Sequence, residues 1–91
     1  MMALHLDGKG TELKDVKYDI FSVQSIMHTN NIEIIMLPDG VMYVMEHGLQ
    51  EGKQRNDLAS LIARRDVYGP ALIAGFNGDD VPNSYISAYI A

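Results

Sequence analysis

The stretch Asn31–Glu46 limits what this chain can fold into more than any other part of it. Ile32–Leu37 reads as a strand. At a period of two, Ile32, Ile34 and Met36 share one face, and Glu33, Ile35 and Leu37 share the other. Pro38-Asp39-Gly40 follows. Proline presets φ for a turn, and glycine accepts the strained position. Val41–Met45 then returns, apolar on both faces. The pattern predicts a β-hairpin whose second strand is covered above and below, in a central place in the sheet.

The remaining elements arrange themselves around that hairpin. Met2–Leu6 reads as a strand, with Leu4 and Leu6 on one face. Asp7-Gly8-Lys9-Gly10 is turn chemistry, and Glu12–Tyr18 is a weaker strand, so a second hairpin is expected. Asp19 suits a helix N-cap, because its short acceptor satisfies a free helical N–H. Ile20, Val23 and Met27 follow at helical spacing, which predicts a helix over Ile20–His28. Phe21 widens the apolar face or packs the other way. Thr29-Asn30-Asn31 is expected to stop this helix.

After a loop over His47–Gly52, Asn56 can cap a second helix from Asp57 to Arg65. Leu58, Leu61 and Ile62 form its apolar stripe, and Arg64 and Arg65 complement its negative end. Gly69-Pro70 breaks the chain, and Ala71–Phe76 reads as a covered strand. Asn77-Gly78-Asp79-Asp80 is a turn. In the tail, Tyr85/Ser87/Tyr89 against Ile86/Ala88/Ile90 fits a strand, while Ile86 with Ile90 fits a helix. The sum is an α+β chain, a single domain over residues 1–91, with about five strands, a central hairpin and two short helices. Residues 82–91 are left as an oligomerisation segment or a loosely packed one.

Composition then excludes function classes. With 91 residues the core is thin, and a partner subunit could contribute to it. The chain has no cysteine, which removes thiolate metal sites and a cysteine nucleophile. Twelve Asp and Glu against seven Lys and Arg give a net charge of -5. The basic residues are scattered, so no phosphate-tracking stripe exists and no nucleic acid is expected as partner. The acidic excess falls short of the charge density of a DNA mimic unless it segregates to one face. No apolar run approaches the roughly 20 residues of a membrane span. Met1–Leu6 is too short for a signal peptide. A cytoplasmic protein with no membrane partner is the expectation.

The chemistry-bearing residues form no known constellation. No G-x-S-x-G elbow occurs, and His5, His28 and His47 are not spaced to hold a metal from one helix face. Asn77-Gly78-Asp79-Asp80 lacks the spacing of a calcium loop. No catalytic residue, metal site or cofactor is assigned. Glu46, Gly48 and Asn56 bracket the loop between the central hairpin and the second helix, where binding groups tend to sit on a rigid sheet. They are the binding-site candidates, beside plainer duties: Glu46 ends a strand, Gly48 turns and Asn56 caps.

One longer pattern stands out. Val23-Gln24, Asn31-Ile32-Glu33-Ile34, Leu37-Pro38-Asp39-Gly40, Glu46 with Gly48, Asn56-x-x-Ala59, and Asp66-Val67-Tyr68-Gly69-Pro70-Ala71-Leu72-Ile73-x-Gly75 follow one another in order. The series, spanning residues 13–80, resembles a domain-of-unknown-function family of small proteins from Gram-positive bacteria, their phages and plasmids. The resemblance implies an accessory protein of a phage or mobile element that binds a protein partner, and it carries no catalytic residues.

Three readings follow. The first is a non-catalytic protein-interaction module, in one version an inhibitor of a host or defence protein. The second is a small-ligand binder or small enzyme using the loop Glu46–Asn56. The third is a structural homo-oligomer, such as a homodimer, which is compatible with the first.

Overall fold

Both expected hairpins form in the computed structural model, which describes residues 1–90. Strands β1 (Met2–Asp7) and β2 (Gly10–Asp15) pair from Met2↔Asp15 to Asp7↔Gly10. Strands β3 (Ile32–Leu37) and β4 (Gly40–Met45) pair from Ile32↔Met45 to Leu37↔Gly40, so Pro38-Asp39 is a two-residue connection. Between the hairpins lies β5 (Ala71–Ala74). The sheet order is β2-β1-β5-β4-β3, with every neighbouring pair antiparallel.

The middle of the sheet therefore belongs to β5 rather than β4. β4 is interior, as its two apolar faces require, but it stands one place from the edge. β5 suits the centre because all four of its residues are buried and none carries a charge. Leu4 faces Ile73 on one side of it, and Tyr43 faces Leu72 on the other.

Each face of the sheet has its own core. Ala3, Val16, Tyr43, Met45, Leu72 and Ala74 pack with Val23 and Met27 of α1 (Ile20–Met27). On the opposite face Leu4, Leu6, Ile35, Leu37, Met42, Val44, Ala71 and Ile73 meet Ala59, Leu58 and Ile62 of α2 (Asp57–Ala63). The same face receives Tyr85, Ile86 and Tyr89 of α3 (Asn83–Tyr89), followed by Ile90. Full burial of Leu72 or Ile73 is worth roughly 1.5–3 kcal/mol each. The result is an α+β domain with an antiparallel sheet between two helical layers.

Among the described residues there are three α-helices, and the expectation of two is corrected by α3. Its apolar residues fall at i, i+1 and i+4, and that stripe covers the end of the core. Tyr85 Oη donates to Asp39 Oδ1 at 2.6 Å, which ties α3 to the β3–β4 turn. Thr11 Oγ1 donates to the Tyr89 carbonyl at 2.8 Å and ties its other end to β2. The tail is thus packed through Ile90, and residue 91 lies outside the described residues. None of the helices is long and apolar enough to cross a membrane.

Several boundaries move, each for a local reason. β2 begins at Gly10 and stops at Asp15 instead of running from Glu12 to Tyr18. Val16 is drawn beneath α1, and its N–H donates to the Met1 carbonyl at 2.8 Å. α1 starts as expected on Asp19, whose Oδ1 accepts the Ser22 N–H at 2.8 Å. That bond holds the Asp19 carboxyl below its ordinary pKa. The helix ends on His28 in the left-handed region (φ 56), with the Thr29 N–H returned to the Gln24 carbonyl, so histidine rather than asparagine fills that role. β5 stops at Ala74, because Phe76–Gly78 forms a 3-10 turn with Asn77 and Gly78 at positive φ.

Gly40 is needed for a different reason from the one its turn suggested. It does not sit at positive φ. A Cβ there would lie 2.4 Å from the Ala74 carbonyl oxygen of β5, so the glycine allows the backbones to close at the end of the hairpin.

Candidate functional site

The loop after β4 forms one wall of a cleft of about 210 Å³. Glu46 and Gly48 line it, together with Val44, Met45 and Val67 from the strands and the loop before β5. Glu33, Arg65 and Asp66 stand at its rim. Arg65 Nη2 donates to both carboxylate oxygens of Glu33 at 3.0 Å. Asp66 Oδ1 accepts from Arg55 Nε at 3.1 Å, and Arg55 also reaches Asp57 at 2.7 Å. His47 Nε2 lies 3.8 Å from Glu46 Oε1. The Glu33 and Asp66 oxygens are thus held by arginines, and the Glu46 carboxylate stands beside them in the cleft. Its volume is below the roughly 300–1,000 Å³ usual for small-molecule pockets.

The three candidate residues do not share this cleft equally. Gly48 is fixed by space, since a Cβ there would meet the Tyr68 carbonyl oxygen at 2.1 Å. Asn56 stands outside the cleft and is buried. Its Oδ1 accepts the Ala59 N–H at 3.1 Å, which is the expected cap. Its Nδ2 also donates to the Leu6 carbonyl at 3.1 Å and to the Gly69 carbonyl at 3.0 Å. One side chain therefore joins α2, the end of β1 and the entry to β5. Its amide hydrogens and carbonyl oxygen are committed to the fold and are not offered to a ligand.

A second region was not singled out by sequence. Where α1 begins beside β3, large apolar side chains remain in water. Phe21 is 78% exposed, Met36 66% and Ile34 54%, with Tyr18 and Ile20 also half exposed or more. Tyr18, Ile20, Val23, Ile34 and Tyr43 surround a hollow of about 250 Å³, with Asp19 the single charged residue of its lining. Burial raises the Tyr43 phenol above its ordinary pKa, so that ring is neutral at pH 7. The cause of the exposure is topological. β3 is apolar on both faces like an interior strand, yet it stands at the edge of the sheet. α1 leaves Ile34 and Met36 more than half exposed.

The edge is open as well as apolar. The Glu46 N–H donates to the Asn31 carbonyl at 2.9 Å, which makes Asn31 and Glu46 a hydrogen-bonded pair. In an antiparallel ladder such pairs alternate, so Glu33, Ile35 and Leu37 bond to β4. The backbone N–H and C=O groups of Ile32, Ile34 and Met36 point outward, away from the sheet.

The other residues weighed from sequence are dispersed or engaged. His5 and His28 line one hollow beside Lys14, Lys53 and Asp7. Burial, reinforced by Lys14, lowers the His5 pKa below 6.5. Asp80 Oδ1 accepts the Met2 N–H at 2.8 Å, so one of the paired acids helps dock β1. Among the described residues no three His, Asp or Glu side chains gather as a set able to hold a metal ion. No family model, no curated protein and no solved structure matches this chain.

Proposed function

We propose that this chain is a non-catalytic protein-interaction module whose contact surface is the β3 edge and the adjoining flank of α1. The observation that carries this reading is the coincidence of two unmet needs in one place. Outward-pointing backbone groups at Ile32, Ile34 and Met36 have no hydrogen-bond partner among the described residues. Exposed apolar side chains at Tyr18, Ile20 and Ile34 gather beside them, with Met36 further along the strand and Phe21 next to Ile20 on α1. An extended segment added to a sheet edge satisfies the first need through main-chain hydrogen bonds and the second through side-chain burial. Exposed apolar patches of this kind mark interaction surfaces in folded domains. The resemblance to small proteins of phages and plasmids supplies a context, an accessory factor acting on a host or defence protein.

The test is capture by the tagged chain from a bacterial lysate, wild type beside Phe21→Asp and Met36→Asp. Both positions are exposed, so the fold is retained. A defined protein held by wild type and lost in both variants is the expected result. Capture that ignores both substitutions would remove this surface from the reading.

The cleft beside Glu46 supports a second reading, a binder of a small polar ligand. Its concave wall and the Glu46 carboxylate favour a small cationic or hydrogen-bond-donating group. Chemical-shift changes at Glu46 and Gly48 on titration with such compounds, absent in Glu46→Gln, are expected on this reading.

A further inference from the structure

We infer that the occupant of the β3 edge is a second copy of this chain, paired antiparallel about a two-fold axis through Ile34 so that the two sheets become one ten-stranded sheet. This rests on the reading of that edge as the contact surface and names what covers it.

The register follows from which groups face outward. Ile32, Ile34 and Met36 present N–H and C=O groups away from β4, and Ile34 is the middle one. An antiparallel two-fold pairing centred there sets Ile34 opposite Ile34 and Ile32 opposite Met36, each as a hydrogen-bonded pair. Every side chain on the α1 face of the new junction is apolar. On the other face Glu33 falls opposite Ile35, not opposite another acid, and its charge is already matched by Arg65 of its own chain at 3.0 Å. A net charge of -5 per copy opposes association in general, yet the strand at the junction contributes no like-charge contact.

Both helical layers also present apolar residues toward this edge. Tyr18 and Ile20 stand beside Ile34 on the α1 side. Leu61, 70% exposed, stands beside Met36 on the α2 side. Tyr18, Ile20, Ile34 and Met36 each leave half or more of their surface in water, apolar area that a second copy would cover. The two-fold arrangement uses the same patch on both chains and therefore closes. The far edge stops further growth. β2 carries Glu12, Lys14 and Asp15, and Thr11 is already held by the end of α3.

The experiment is light scattering of the purified full chain from micromolar to millimolar concentration, beside Ile34→Lys and Met36→Lys. The expected result is twice the single-chain mass for wild type and the single-chain mass for both variants, with unchanged circular dichroism. The absence of native cysteine supplies a second readout. Ile34→Cys should become disulfide-linked under mild oxidation, because the two sulfurs face each other across the axis. Met36→Cys alone should not, because the two copies of position 36 lie about 14 Å apart. A single-chain mass at every concentration overturns the inference. So does a dimer that survives Ile34→Lys, or equal cross-linking at positions 34 and 36. A single-chain wild type that still captures a foreign protein, with capture lost in Ile34→Lys, rejects the second copy as occupant while the surface reading stands.

Discussion

The two edges of this sheet are built from strands of equal length and opposite character. β2 carries Thr11, Glu12, Lys14 and Asp15, with a single large apolar residue, Leu13, turned toward the core. Its neighbour α3 also lays a carbonyl against it. β3 carries Ile32, Ile34, Ile35, Met36 and Leu37, and its single charge, Glu33, is held by Arg65. Charged residues on an edge strand prevent it from templating another chain. One edge is thus finished within the fold, and the other leaves Ile34 and Met36 uncovered. On the function proposed above, that difference places the contact surface at β3.

The largest expected effect removes the difference altogether by loosening the joint between the two hairpins. Asn56→Ala deletes three hydrogen bonds and leaves the buried Leu6 carbonyl and the partly buried Gly69 carbonyl without this donor. A loss of about 3 kcal/mol is expected in chemical denaturation. A loss below 1 kcal/mol would mean that the joint is made elsewhere.

Tyr85→Phe releases α3 from the turn that ends the apolar edge, at an expected cost of about 1 kcal/mol. The Tyr85 pKa is pushed up to about 12 by burial and by its bond to Asp39. A folded-state value above the unfolded one stabilises at neutral pH, and that stabilisation is lost as pH rises from about 10 through about 12. Alkaline melts should show that loss in wild type and a smaller one in Tyr85→Phe, where the raised Tyr43 phenol still titrates.

His5 lies in β1 beside the guarded edge, and the sign there is opposite. Its folded-state pKa is depressed by burial and by Lys14, with Asp7 and Glu12 opposing and His28 adding slightly. The unfolded chain then takes up a proton more readily, so stability should decline as pH falls below about 6.5. His5→Gln should flatten that part of the curve. An unchanged acid slope would assign the effect to other groups.

The smallest change in stability, within about 0.5 kcal/mol, is expected from Glu12→Val with Lys14→Val, both made on the finished edge. This pair converts β2 into a copy of β3 in character. Association of such a chain should no longer stop at two copies, and light scattering should show open-ended growth. A variant that keeps the wild-type mass would show that α3 alone protects this edge.

Much of the fold was legible because alternation and capping are local. The hairpin turn at Pro38-Asp39, the Asp19 and Asn56 caps and the buried Val23 and Met27 of α1 all follow from residues close together in the chain, whereas Leu61 and Ile20, expected on buried stripes, stand in water. Strand order was not legible. Periodicity reports how many faces of a strand are covered, not which strands lie beside it. β3 and β4 look alike in that respect, yet one is an edge and the other is interior, and the centre went to the four residues of β5. The helical tail was ambiguous because Ile86 and Ile90 satisfy both periods until the core chooses between them.

The candidate site was legible only in part, for the same reason. Glu46 and Gly48 were found because loops announce themselves, and they line a real cleft. Asn56 was found as a cap. Its second role depends on Leu6, 50 positions away, and no local pattern carries that information. The apolar surface joins Tyr18 and Ile20 to Ile34, with Phe21 and Met36 exposed further along the same helix and strand. Phe21, a large residue that fits poorly on the buried face of its helix, was the available signal.

The place of β5 has a consequence for how the chain reaches its native state. The central strand is the last one synthesised, and Leu4 must wait for Ile73, 69 positions later. Two local hairpins can form early, each with an unsatisfied inner margin, and the halves become one body only when the final strand slots between them. Such long-range closure sets a slow folding step. Until it occurs, a nascent or refolding chain exposes three sticky margins where the finished protein has one.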